Sequence, residues 1–174
     1  SIDPVEVAYY ERLEHTWWDR EGPFWPIHTL NTLRVRYLKR QITGHFGIAS
    51  RSAKPLSGLR ILDIGCGGGI LSEALARLGA DVTGVDVVKR NINVARHHAA
   101  AAGLPVYYLL GSAEDLAEAG ERFDVVLNME VVEHVADLGA FMKACNALVR
   151  PGGMMFIATI NRNPLAWLSA VFGA

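Results

Sequence analysis

The stretch Leu59-Arg60-Ile61-Leu62-Asp63-Ile64-Gly65-Cys66-Gly67-Gly68-Gly69-Ile70-Leu71 decides the fold. Leu59 to Ile64 is an apolar run of strand length that breaks into glycines, and Ile70 to Leu78 has the spacing of an amphipathic helix closed by Gly79. In open α/β folds, such a strand–glycine loop–helix junction is where a nucleotide-type ligand binds. Glycines there supply the tight turn and let the backbone approach the ligand. A dinucleotide fingerprint counted from Gly65 and Gly67 would demand glycine at position 70, where Ile70 stands. The pattern is instead DxGxGxG, opened by Asp63. Asp86 follows 21 positions after Gly65, where a carboxylate can accept hydrogen bonds from ribose hydroxyls. The competing reading is a glycine-rich turn that holds no ligand.

Downstream the alternation continues. Asp81 to Val85 reads as a strand ending at Asp86, Lys89 to Ala102 as a helix closed by Gly103, and Val106 to Leu110 as a third strand. A short helix around Ala113 to Ala119 precedes a fourth strand, Phe123 to Asn128. A helix over roughly Leu138 to Val149 and a Pro151-Gly152-Gly153 turn lead into a fifth strand, Met154 to Ile160. This alternation predicts right-handed βαβ units, a parallel sheet and helices on both faces. Upstream, Asp3-Pro4 signals a helix start for a stretch reaching Arg20. Gly22, Pro23 and Pro26 break it, and a second helical stretch runs from about His28 to Gln41.

The chain as a whole has 174 residues, 51% hydrophobic and 20% charged, which is the composition of one globular domain and not of a disordered segment. Seventeen Lys and Arg against 18 Asp and Glu leave a net charge of -1, which argues against a dedicated duplex-DNA binder. Nine of the 17 basic residues nevertheless fall in the first 60 positions, so a local basic surface fits the sequence. Cys66 and Cys145 are far apart and show no zinc spacing, which points to a reducing compartment. No apolar run reaches transmembrane length, and no signal-peptide pattern is present.

Leu59 through Ile160 resembles the class I S-adenosylmethionine (SAM)-dependent methyltransferases. The resemblance implies a Rossmann-like α/β fold with a parallel sheet in the order 3-2-1-4-5. It also implies that Asp63 lies near the amino end of the cofactor's methionine part, that Gly65 and Gly67 pass beneath the cofactor, and that Asp86 holds its ribose. Ser112, Ala113 and Glu114 would frame the adenine, although many members carry Asp where Ser112 stands. Asn128-Met129-Glu130 would line the cofactor and face the substrate, with Met129 a soft contact near the sulfonium or simply core filling. The (Asp/Asn)-Pro-Pro-(Tyr/Phe) clamp of nucleic-acid amino-methyltransferases is missing after the fourth strand, so a small-molecule acceptor is expected and no nucleic acid.

A narrower resemblance uses the flanks as well. Trp17-Trp18-Asp19, Glu21-Gly22, Pro26-Ile27-His28, Asn31-Thr32-Leu33-Arg34, Asp63 to Leu71, Met129 to Val135 and Thr159 to Asn163 are similar to the ubiquinone-biosynthesis O-methyltransferases. That family methylates hydroxyls of polyprenylated catechol or phenol intermediates. The resemblance implies that Arg34 reaches the cofactor carboxylate, which suits a guanidinium fork. The plainer reading of Arg34 is a solvated helix face shared with Arg36 and Lys39, and Trp17 and Trp18 are expected to pack as core or lid. The alternatives are a methyltransferase for another small metabolite and a non-catalytic SAM-binding scaffold subunit.

Catalysis is expected to rest on Glu130, Glu133 and His134. A phenol of pKa about 10 is mostly protonated near neutrality, so methyl transfer needs a base or a metal. If this stretch is helical, the three residues share one face. They could then hold Mg²⁺ together with water and the two catechol oxygens, as the resemblance implies. The alternatives, after the metal site, are a metal-free general base at His134 and then a structural role. His97 and His98 read as surface residues.

The chain divides in expectation into N-terminal helices acting as a cofactor lid (1–45), a linker (46–58), the SAM-binding core (59–163) and the start of an apolar helix or membrane-contact segment (164–174). The closing antiparallel hairpin of the class is absent and the chain lacks an initial Met, so it reads as a fragment with an uncovered edge at strand 5. A prenylated substrate implies a peripheral position on the inner membrane, cytoplasmic in a bacterium or on the matrix side in a mitochondrion, within a ubiquinone-biosynthesis complex.

Overall fold

The computed structural model describes residues 16–49 and 51–159. The expectations for positions 4–15 and for 160–174 lie outside the described residues. The elements are α1 (Trp25–His45), β1 (Arg60–Ile64), α2 (Ile70–Arg77), β2 (Asp81–Asp86), α3 (Lys89–Ala101), β3 (Val106–Leu110), α4 (Ala113–Glu118), β4 (Phe123–Met129), a 3₁₀ turn (Val132–His134), α5 (Leu138–Leu148) and β5 (Val149–Ala158). The five strands form one sheet in the order β3-β2-β1-β4-β5, and every pairing is parallel. This is the class I SAM-methyltransferase, Rossmann-like α/β fold expected from the sequence.

Central strands covered on both faces must be apolar on both faces, and β1 and β4 are. Ile61, Val125 and Leu127 pack against Leu38 and Ile42 of α1 and Leu71 and Leu75 of α2. The alternate residues Leu62, Ile64 and Val126 pack against Leu116 of α4 and Phe141, Cys145 and Leu148 of α5. The stretch expected as a linker is docked at Leu56, which is fully buried and whose N–H donates to Leu78 O at 3.0 Å.

Two boundaries differ from expectation for clear reasons. Helix α1 starts at Trp25, because Pro26 sits in its first turn, where a missing N–H costs nothing. Strand β5 starts at Val149. Phe123 pairs with Val149 and Val125 with Met154, so Pro151-Gly152-Gly153 bulges out of the strand instead of preceding it.

Candidate active site

The carboxyl ends of β1, β2, β3 and β4 lie at one end of the parallel sheet, where Asn31 and Arg34 from the first half of α1 also stand. Two clefts occupy that end. One, of about 590 Å³, is walled by Gly65, Asp86, Val88, Ser112, Glu114 and Phe141, among others. The second, of about 430 Å³, is walled by Trp17, Arg34, Asp63, Gly67 and Met129, among others. Gly65, Asp86, Asn91, Glu130 and His134 line both. Ligand crevices at the carboxyl ends of parallel strands follow from the topology.

The glycine loop is held by Gly65 N–H and Cys66 N–H, which donate to Val85 O at 2.8 and 3.1 Å. Gly65 has φ +69, and a Cβ there would stand 2.5 Å from Val131 Cγ2, so no other residue fits. Asp86 orders the loop from β2: its Oδ2 accepts from Gly67 N–H at 2.9 Å and its Oδ1 from Val88 N–H at 2.8 Å. Asp63, at the end of β1, is buried and accepts from Ser72 Oγ at 2.6 Å. Burial pushes its carboxyl up from 3.8 to about 6, against the pull of the Ser72 hydrogen bond and of Arg34.

Arg34 reaches in from α1 and pairs with the Glu130 carboxylate. Ser112 is the N-cap of α4: its Oγ accepts from Asp115 N–H at 3.2 Å, and Asp115 Oδ2 accepts from Ser112 N–H at 2.8 Å. The Ser112 side chain is therefore engaged within its own helix terminus, while Ala113 and Glu114 follow it along the cleft wall.

The expected common face of Glu130, Glu133 and His134 does not form. Glu130 takes φ +64 and its N–H donates to Ala158 O at 2.6 Å, which keeps it on the sheet; only Val132–His134 turn, and as 3₁₀. Glu130 and His134 stay in the clefts, whereas Glu133 lines neither and its Oε2 is buried without a hydrogen-bond partner. Among the described residues, no group of three His, Cys, Asp or Glu side chains is placed to hold a metal ion. The Mg²⁺ site therefore does not fit this arrangement: one donor is occupied by Arg34 and a second points elsewhere.

The thiols are no nucleophiles. Burial holds Cys66 well above its ordinary pKa and pushes Cys145 up to about 11.

Sequence reading missed a buried polar cluster beside Trp18. Glu73 is fully buried and accepts from Arg77 Nη2 at 2.9 Å, and His98 Nδ1 lies 2.6 Å from its other oxygen. His98, expected at the surface, is largely covered because Trp18 stacks on it with ring centroids 3.6 Å apart. Trp18 Nε1 donates to Gly68 O at 3.2 Å, while Trp17 stacks on Phe24. The Glu73–Arg77 spacing was readable, but the partner 25 positions away at His98 was not. Asn91, which lines both clefts, carries no local motif to announce it.

A family model described as a methyltransferase domain matches residues 62–157, more than half of the chain. A protein of Cereibacter sphaeroides named ubiquinone biosynthesis O-methyltransferase is 54% identical over all 174 residues, which span 70% of that relative. The protein of the same name from Sinorhizobium medicae matches equally, at 54% over 100% of this chain and 70% of its own length. Among solved structures, the magnesium protoporphyrin IX methyltransferase of Synechocystis PCC 6803 with bound SAM is 21% identical. It superposes with a TM-score of 0.60 over 86% of this chain and 73% of that one, a likeness of fold alone.

Proposed function

Because this chain belongs to the ubiquinone biosynthesis O-methyltransferases, which are SAM-dependent, we propose that it methylates a ring hydroxyl of a polyprenylated catechol or phenol. The observation that carries this reading is that Glu130 and His134 stand in the wall shared by two clefts, with Met129 beside them. A donor in one part of the crevice and an acceptor in the other would meet there.

The chemistry of the cleft residues supports SAM as the donor. Arg34 offers a guanidinium for its carboxylate and Asp63 an acid for its ammonium. Asp86 would accept from the ribose hydroxyls, the glycine backbone would let the cofactor approach closely, and Ala113 and Glu114, which line the larger cleft, would border the adenine. When bound, SAM supplies an electrophilic methyl on a positively charged sulfur. The protein then aligns the acceptor oxygen in line with the carbon–sulfur bond. Transfer of the methyl to that oxygen would release S-adenosylhomocysteine, and His134 would take the hydroxyl proton. No step is assigned to a metal.

A prenyl tail stays in lipid, so a peripheral membrane position and hand-over within a biosynthetic complex go with this substrate. None of the described helices is long and apolar enough to cross a membrane. Exposed Leu33 and Tyr37 on α1, beside exposed Arg36 and Arg40, suit such a surface.

The test is transfer of labelled methyl from SAM to a short-chain prenyl catechol. The expected result is turnover that His134→Ala lowers about 10²- to 10⁴-fold while S-adenosylhomocysteine still binds. Methylation of a soluble acceptor in preference to the prenyl catechol would assign another small metabolite. Cofactor binding without turnover on any acceptor would assign a scaffold subunit.

A further inference from the structure

Among the described residues, Arg34 is the only lysine or arginine in the wall of the 430 Å³ cleft, where Asp63, Asp86 and Glu130 also stand. Its ion-pair partner there is Glu130. Glu130 is also the one described non-glycine residue with positive φ, at +64, a region that ordinary side chains avoid. Such a conformation persists only where its surroundings enforce it, and such outliers gather at switching and binding positions. Here two contacts enforce it: the bond from Glu130 N–H to Ala158 O and the pair with Arg34.

The donor carries one carboxylate, and on the reading above that carboxylate goes to Arg34. It would arrive beside the Glu130 carboxylate, and two like charges in contact repel. Arg34 is the more enclosed partner, with 15% of its side chain exposed against 33% for Glu130, and Glu130 also borders the larger cleft. Glu130 is therefore the group that can leave. We propose that Arg34 exchanges partners, holding Glu130 in the donor-free protein and the donor's carboxylate afterwards, so that donor binding frees Glu130 to face the acceptor. Glu130 thereby acts as a positioning residue that orders binding, donor first.

The test measures binding by calorimetry on folded wild type and variants. Two ligands serve: S-adenosylhomocysteine, which has the carboxylate, and 5′-methylthioadenosine, which lacks it. Removing an internal competitor raises the binding-competent fraction, so Glu130→Gln is expected to tighten S-adenosylhomocysteine about threefold to tenfold and leave methylthioadenosine unchanged. In an Arg34→Ala background the same substitution is expected to do nothing. Glu130→Asn, which tolerates the left-handed backbone, repeats the measurement should the glutamine variant fold poorly. Unchanged or weakened S-adenosylhomocysteine binding in both Glu130 variants overturns the exchange.

A short-chain prenyl catechol is further expected to bind wild type at least about fivefold tighter once S-adenosylhomocysteine is present, since coupling is reciprocal. Equal affinity with and without it overturns the ordering. An acceptor bound in neither state refutes the substrate class proposed above, and the nucleoside measurements still decide the exchange. Failure of wild type to bind S-adenosylhomocysteine overturns the donor site and the exchange together.

Discussion

Asp63 carries its charge at a cost. Its carboxyl is buried at the end of β1, and desolvation raises its pKa from 3.8 to about 6 despite the Ser72 hydrogen bond. A folded-state value above the unfolded one means that its contribution to stability is full below about 3.8 and lost as pH rises through about 6, a difference of about 3 kcal/mol. An ammonium brought against Asp63 by a ligand reverses that penalty. Binding of S-adenosylhomocysteine is therefore expected to weaken about tenfold between pH 7.5 and pH 5, as Asp63 takes up a proton. Asp86, Glu130 and His134 share the cleft, so Asp63→Asn is the control: it should bind weakly and lose this part of the pH dependence. Calorimetry across that range checks it, and a flat wild-type profile would remove the ammonium from Asp63. The places of Gly65, Asp63 and Asp86 at the cleft were legible in the sequence because the strand–glycine loop pattern puts them at the ends of β1 and β2. His98 was not, because its contacts come from α2 and from Trp18, which the chain brings to it only on folding.

At the scale of elements, Ser112 separates a cap from a ligand. Its hydroxyl and backbone N–H are both taken up by Asp115 in a reciprocal capping box on α4. The family resemblance places it at the adenine; in the structure it lines the larger cleft while its side chain is bonded to Asp115. Ser112→Ala is expected to cost about 1 kcal/mol and to lower the melting temperature by roughly 2–4 °C. S-adenosylhomocysteine affinity should stay within about twofold, since no cofactor hydrogen bond leaves with the hydroxyl. Thermal melts and calorimetry on one preparation check both halves, and a large affinity loss would return the hydroxyl to the ligand. The segment after β4 shows why helical spacing misled. Glu130, Glu133 and His134 share a face only on an α-helix, and the strand bond from Glu130 to Ala158 carries the chain past the point where that helix would begin. Val131, Val132 and Val135 add β-branched side chains that favour extended backbone.

For the whole molecule, the parallel sheet was legible because each strand–helix unit declares itself locally and handedness leaves few ways to join them, whereas its order 3-2-1-4-5 was expected from the family resemblance. The site was legible only in part, because it closes through contacts distant in sequence. Arg34 and Glu130 are 96 positions apart, and no local pattern pairs them. A donor held by Arg34 of α1, Asp63 of β1, Asp86 of β2 and the segment after β4 would tie α1 to the end of the sheet, so its binding should appear as global stability. At a hundred times its dissociation constant, S-adenosylhomocysteine contributes about 2.7 kcal/mol, which is expected to raise the melting temperature by roughly 5–10 °C for a chain of this size. Mg²⁺ alone is expected to give no shift, because Glu130 is paired with Arg34 and Glu133 lies outside both clefts. Thermal melts with each ligand separately decide the matter. A clear rise with Mg²⁺ alone would mean that Glu130, Glu133 and His134 gather before the donor arrives, and that the Arg34 pair yields to a cation.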